Sequence, residues 1–389
     1  MSESGSLESE ILGVLERLVG FDTVSDKTNL DAIAWIEAYA HQSLNVRTQR
    51  YFNDTKDKAA LVIQIGPENE GGVVLSGHID VVPVAGQAWD HDPFSLTRRG
   101  EHVFGRGTCD MKGFLAVALS AIPELSRAGL TRPVQIAISY DEEVGCLGAP
   151  PLIEGLLADF PRADSVIVGE PTGMKSVIGH KGVQLSETIV RGYEVHSSHL
   201  HRGVSAIHVA SKLIAWHDRQ NDQSREATSA FSFDPPFSTF HVGLISGGTA
   251  SNITARDCRF TSDWRLLPGC DADELWDRYV EFAANIESEI RKIADTARVT
   301  VVKGPHTPPL DPKGVADGAP PFIPGYLDRA AASVVSYGTE AGHFQRSGFN
   351  TLICGPGSIR QAHQENEYIA ISELLECRKF FRNLACEMS

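Results

Sequence analysis

Apolar positions along the first third of the chain switch between two periods. From Leu7 to Phe21, residues Ile11, Leu12, Val14, Leu15, Leu18 and Val19 form a helix-like stripe. A second helix with a largely apolar face is predicted from Met111 to Ala128, ended by Gly129. Short apolar runs from Ala59 to Ile65, Gly72 to Ser76, Pro133 to Tyr140 and Ser165 to Val168 read as buried strands. Strands alternating with helices predict a layered α/β domain, in which ligands gather beyond strand ends.

From about Gly179 the texture changes. A strand from Val183 to Arg191, a helix from Val204 to Asp218 and a strand around His241 to Ile245 come first. A strand from Cys258 to Arg265, a long helix from Asp273 to Ile293 and a strand from Val299 to Val302 complete a βαββαβ order. The Pro-rich stretch from His306 to Pro312 reads as a return linker. A strand from Thr351 to Cys354 and a helix from Ser372 to Cys386 then resume the first texture. The expected organisation is a discontinuous domain, residues 1–178 and 305–389, with residues 179–304 inserted as a second domain.

Two domains also suit 389 residues, a length beyond one ordinary core. The formal net charge of −15 opposes a nucleic-acid partner and an anionic membrane surface. No apolar run is long enough to span a bilayer. The acidic, polar opening Met1-Ser2-Glu3-Ser4 is unlike a signal peptide. Seven cysteines, an odd number without a CxxC pair, read as reduced thiols of a cytoplasmic protein.

Candidate chemistry lies in five short motifs, most of them next to strand ends. They are Gly77-His78-Ile79-Asp80, Gly107-Thr108-Cys109-Asp110, Asp141-Glu142-Glu143, Gly169-Glu170-Pro171 and Ala362-His363-Gln364. Each alone has a plain structural explanation: a strand-end histidine, a helix-capping aspartate, a solvated acidic pair. Together, His78, Asp110, Glu143, Glu170 and His363 supply two ligand sets, one histidine and one acid each, with Asp110 left to bridge. Carboxylate and imidazole suit zinc, with cobalt or manganese as substitutes. Asp80, two residues along the strand from His78, can face the same side and take its second N–H. Glu142 and Glu143 diverge, so one can bind metal while the other serves as general base. Cys109 and Cys146 are expected to pack rather than bind.

The segments Ser76-Gly-His-Ile-Asp-Val-Val-Pro83, Gly105-Arg-Gly-Thr-Cys-Asp-Met-Lys-Gly113, Tyr140-Asp-Glu-Glu-Val-Gly145 and Gly169-Glu-Pro-Thr172 resemble the signature of a known family. It is the zinc-dependent aminoacylase, acetylornithine deacetylase and succinyl-diaminopimelate desuccinylase metallopeptidase family. Arg265-Leu-Leu-Pro-Gly269, Gly338-Thr-Glu-Ala341 and the run from Gly355 to Gln364 are most similar to its acetylornithine deacetylase members. The resemblance implies a mixed-sheet α/β catalytic domain of zinc aminopeptidase type, with an inserted ferredoxin-like βαββαβ lid that mediates a homodimer. By resemblance, His78 and Glu170 hold one zinc, Glu143 and His363 the other, and Asp110 bridges them. Glu142 is then the base and Asp80 the partner of His78. His196 polarises the substrate carbonyl, often from the partner subunit, while Arg265 and Asn252 bind the α-carboxylate. One departure falls at the lid, where Val195-His-Ser-Ser-His-Leu-His-Arg-Gly203 has Val195 where glycine is expected and carries extra histidines.

The implied reaction is hydrolysis of an N-acyl amino acid, N-acetyl-L-ornithine to acetate and L-ornithine in arginine biosynthesis. Glu340 is a candidate to meet the ornithine δ-ammonium. Acetyl-diaminobutyrate, acetyl-citrulline and succinyl-diaminopimelate are rival substrates, and a dipeptidase is a further rival. A catalytically dead binding protein is the alternative from another class, but it predicts a missing ligand or base, and none is missing.

Overall fold

The computed structural model describes residues 3–226, 231–314 and 332–389. Residues 315–331 of the expected 305–389 segment lie outside this set. In chain order, α1 (Glu3–Val19) and α2 (Leu30–Ala40) precede β1 (Val46–Phe52), β2 (Ala59–Ile65) and β3 (Val73–His78). Next come β4 (Thr97–Arg99), β5 (His102–Phe104), α3 (Lys112–Leu125), β6 (Val134–Ser139), α4 (Ala149–Asp159), β7 (Ser165–Pro171) and β8 (Val177–His180). β9 (Gly182–Arg191), α5 (Ala206–Ser224), β10 (Thr239–Gly247), β11 (Asp257–Leu266), α6 (Ala272–Arg291) and β12 (Arg298–Thr307) follow. The chain ends with β13 (Ser333–Val335), α7 (Ala341–Arg346), β14 (Asn350–Gly355), β15 (Tyr368–Ala370) and α8 (Ile371–Met388). It divides into two compact units, Met1–Gly179 with Leu310–Val334 and Thr339–Ser389, and His180–Pro309 with Val335–Gly338.

The first unit is built on a sheet of order β1-β2-β6-β3-β7-β14-β8-β13. Its centre, β6-β3-β7-β14, is parallel, and β1 and β2 extend it antiparallel. β2, β3, β6 and β7 are buried along their whole length, as expected of strands covered on both faces. Helix α3 is buried from Lys112 to Ile122 because it is the middle of a helical layer between α1 and α8. Phe114 of α3 meets Phe381 of α8 edge to face, at 5.5 Å. On the sheet side, a Cβ at Gly169 would lie 2.1 Å from the Phe114 ring, so glycine lets β7 pass under α3. Truncating such a ring typically costs about 3–5 kcal/mol.

The second unit has the order β10-β11-β9-β12, antiparallel throughout, with the chain order β9-α5-β10-β11-α6-β12 of a ferredoxin-like sandwich. β9 and β11 alternate buried with more exposed residues, the pattern of a sheet covered on one face. Trp216, Phe260, Trp264 and Tyr279 centre its core. Among the described residues no helix is long and apolar enough to cross a membrane.

Candidate metal centre

The parallel strands of the first unit end on one edge, and the chemistry collects there. His78 closes β3, Glu170 lies in β7, and Glu142 and Glu143 follow β6. Ser76 pairs with Val168, so two residues on, His78 and Glu170 stand at the same level. Asp110 arrives on the turn before α3. Gly107 in that turn has φ +83°, and a Cβ there would lie 2.8 Å from Val81, so only glycine suits it. Asp110 is not the helix cap that its position suggested: Met111 occupies that place. His363 comes from the loop after β14 and has φ +62°.

Asp110 sits between the two histidines. Its Oδ1 is 3.2 Å from His78 Nε2 and its Oδ2 is 3.3 Å from His363 Nε2. Glu170 Oε1 approaches His78 Nε2 at 3.9 Å, and Glu143 Oε2 approaches His363 Nε2 at 2.9 Å. Two groups could therefore hold a cation, His78-Asp110-Glu170 and Asp110-Glu143-His363, each with ligand atoms within 4.8 Å of one another. Asp110 belongs to both.

The donor set fits divalent ions. Glu143 Oε1 and Glu170 Oε1 are buried without a hydrogen-bond partner, a costly state for carboxylate oxygens unless a cation takes them. Burial and neighbouring carboxylates raise the pKa of Glu170 well above the ordinary range and that of Glu143 to about 6. Burial would lower the pKa of His78, but Asp110, Glu142 and Asp80 outweigh it and raise it well above normal. Hydrogen bonds to Asp110 and Glu143 push His363 up to about 10. Burial would raise the pKa of Asp110, but hydrogen bonds to His363 and His78 outweigh it and hold it well below the ordinary carboxylate range. The crowded carboxylates thus draw protons onto the ligand atoms, where metal ions would supply the same positive charge.

Around this centre the structure refines the expectation for Asp80. His78 Nδ1 donates to the Asp80 backbone carbonyl at 2.9 Å, while the carboxylate lies 3.6 Å away. The Asp80 carboxylate instead accepts from Ser25 Oγ at 2.7 Å and from the backbone N–H groups of Glu142 and Glu143 at 3.1 and 3.3 Å. It clamps the turn on which the two glutamates diverge. Asp141, with φ +55°, is held at that turn by Lys58 Nζ at 2.6 Å. Glu142 stands outside both ligand groups and accepts from Cys146 Sγ at 3.3 Å. Burial first, then nearby Glu143, Asp110 and Asp80, raise its pKa to about 8 against the opposing pull of His78.

The expected contact of Glu340 with a cationic substrate is corrected by its surroundings. The side chain is wholly buried, and its two oxygens accept from Ser76 Oγ and Ser139 Oγ, each at 2.6 Å. It ties β3 to β6 and presents no free oxygen.

The sequence profile of peptidase family M20/M25/M40 matches residues 74–387. The chain belongs to this family. An acetylornithine deacetylase of Myxococcus xanthus is 34% identical over 372 residues, covering 93% of both chains. Another, of Pasteurella multocida, is 31% identical over 376 residues, covering 92% of this chain and 91% of that one. An M20 family metallo-carboxypeptidase of Sulfolobus solfataricus shares the fold at a TM-score of 0.74 with 17% identity, over 97% of this chain and 98% of the other. The M20-family chain is a metal-dependent amidohydrolase.

The remaining candidates of this M20-family chain lie on its second unit. His196 is exposed, and its Nδ1 accepts from the Ser198 backbone N–H at 3.2 Å. The neutral ring therefore carries its proton on Nε2. The backbone carbonyl of exposed Asn252 accepts from the Ser197 N–H at 2.9 Å, which places the residue beside His196. Arg265 is half-buried at the far end of β11 and pairs with Asp263 at 2.8 Å. From Asp257 to Arg265 the strand spans roughly 25 Å at 3.3 Å per residue. His196 and Asn252 lie beyond its Asp257 end, where His196 bridges to Ile253.

Proposed function

We propose that this chain is a di-zinc deacylase of N-acyl amino acids, with N-acetyl-L-ornithine as the preferred substrate, yielding acetate and L-ornithine. The observation that carries the reading is the shared Asp110, whose two oxygens face two histidines that each sit beside a further glutamate. The two acetylornithine deacetylases at 34% and 31% identity support the substrate. His78 and Glu170 would hold one ion, Glu143 and His363 the other, with Asp110 between. Cobalt or manganese suits the same donors.

Bound zinc supplies Lewis acidity, which lowers the pKa of a water and polarises a carbonyl. Glu142 takes the proton of the attacking water at its carboxylate. Because it stands outside both ligand groups, its carboxylate is left to hold that proton and deliver it to the leaving amine nitrogen. His196 donates its Nε2–H to the acyl oxygen as negative charge develops there. The Arg265 guanidinium pairs with the α-carboxylate, with Asp263 holding its fork, and Asn252 adds an amide donor.

His196 and Asn252 lie at one end of their unit and Arg265 at the other, so one copy of the unit does not bring all three to one substrate. A homodimer through the second unit resolves this, with His196 and Asn252 reaching the partner's substrate. The edge strand β10 supports it, since Leu244 and Ile245 are 71% and 56% exposed there. Light scattering is expected to give twice the chain mass; a monomer that turns over at full rate would remove the exchange. All seven cysteines are thiols outside any disulfide, which supports a cytoplasmic setting.

The substrate is tested by amine release from a panel of N-acyl amino acids and dipeptides, with chelator-stripped protein assayed before and after zinc addition. Zinc-dependent turnover is expected to peak on N-acetyl-L-ornithine. A peak on acetyl-citrulline or succinyl-diaminopimelate would keep the chemistry and replace the substrate.

A further inference from the structure

Glu367 is the most heavily used carboxylate near the site and lies in no motif that the sequence singles out. It is 1% exposed. Its Oε1 accepts from the backbone N–H of Cys109 at 2.8 Å and of Asp110 at 3.0 Å. Its Oε2 accepts from the Gly107 N–H at 2.9 Å and from Arg106 Nη1 at 2.8 Å. Its own carbonyl accepts from the Gly105 N–H at 3.0 Å. One residue thus holds the Gly105–Asp110 turn by five hydrogen bonds, four from its backbone N–H groups and one from the Arg106 side chain.

The same network reaches the loop that carries His363. Arg106, also 1% exposed, donates to the Gln364 carbonyl at 3.2 Å and to Gln87 Oε1. Gln87 Nε2 donates to the His363 carbonyl at 2.9 Å. That carbonyl belongs to a residue in the left-handed region, where a non-glycine backbone needs outside support. The Ala88 and Asp90 N–H groups, bonded to Glu365 and Asn366 at 2.8 and 2.9 Å, fasten the rest of the loop.

We propose that Glu367, acting through Arg106 and Gln87, is the positioning residue that sets Asp110 and His363 at the spacing the second ion requires. This rests on the two-ion reading of the site. His78 and Glu170 stand on strands and are held by the sheet ladder, whereas Asp110 and His363 stand on loops that this network joins. Loss of the network therefore loosens the Asp110-Glu143-His363 group more than the His78-Asp110-Glu170 group.

The test is a titration of chelator-stripped full-length protein with Co²⁺ alone, followed by d–d absorption and calorimetry. Wild type is expected to take two equivalents. Glu367→Gln sets an amide N–H₂ against backbone donors and is expected to weaken the second equivalent by at least about tenfold while the first stays within a few-fold. Gln87→Ala, at a partly exposed position with little risk to folding, is expected to move the second equivalent in the same direction. Excess Co²⁺ should restore kcat in both variants, which a general loss of folding would not allow. Two wild-type-like affinities in folded Glu367→Gln, or in Gln87→Ala if the first variant does not fold, would overturn the proposal. A wild-type protein that takes only one ion would instead overturn the two-ion reading beneath it.

Discussion

Replacing Glu142 by glutamine is expected to lower kcat by roughly 1,000-fold, the middle of the range for removing a general base. KM and zinc content should change by no more than a few-fold, because Glu142 stands outside both ligand groups. The amide keeps the volume and can still accept from Cys146, so the turn that Asp80 clamps should stay in place. Stopped-time amine release, with metal analysis on the same sample, separates the two effects. A Glu142→Gln enzyme within tenfold of wild type would mean that another group takes the proton. The analogous change at Glu143 should behave differently, because that side chain meets His363 at 2.9 Å. There the loss of metal should come first and the loss of rate should follow from it.

The second large effect is expected at Asp110. Asp110→Asn removes the charge and turns one of the two oxygens into an N–H₂, which then faces a histidine nitrogen that must be free to bind metal. Both ion affinities are expected to fall, on the order of 100-fold or more, and turnover at limiting zinc should fall with them. The same change keeps the side chain's volume and relieves the repulsion that the Asp110 charge exerts on buried Glu143 and Glu170 in the metal-free protein. The apo variant should therefore fold with ordinary far-UV circular dichroism even as the holo form is lost. Retention of two tightly bound zinc ions after dialysis would show that Asp110 does not join the two groups.

Much of this was legible along the chain, for a physical reason. Chemistry in an open α/β sheet gathers at the carboxyl ends of parallel strands, and there a motif next to an apolar run marks its own position. His78, Glu170 and the Glu142-Glu143 pair could be read that way. The same reasoning missed β1, whose Val-Arg-Thr-Gln-Arg-Tyr-Phe sequence is an edge strand with little apolar alternation. It missed α4 because Pro150 and Pro151 look like a loop, although proline is well tolerated in a first helical turn. The carboxylate of Asp80 was expected on His78. Period-two spacing does bring the two residues to one side, but three donors from Ser25, Glu142 and Glu143 hold the carboxylate, and the nearer backbone carbonyl serves the imidazole. Glu367 was invisible for a different reason. Gln364-Glu-Asn-Glu-Tyr368 reads as a solvated polar run, and only the tertiary fold sets its last glutamate beneath a turn more than 250 residues away.

The two ions proposed on either side of Asp110 can be looked for in crystals grown with zinc and measured on both sides of the zinc absorption edge. Two anomalous peaks are expected, one among His78, Asp110 and Glu170 and one among Asp110, Glu143 and His363. A single peak, or peaks that avoid Asp110, would contradict the two-ion reading.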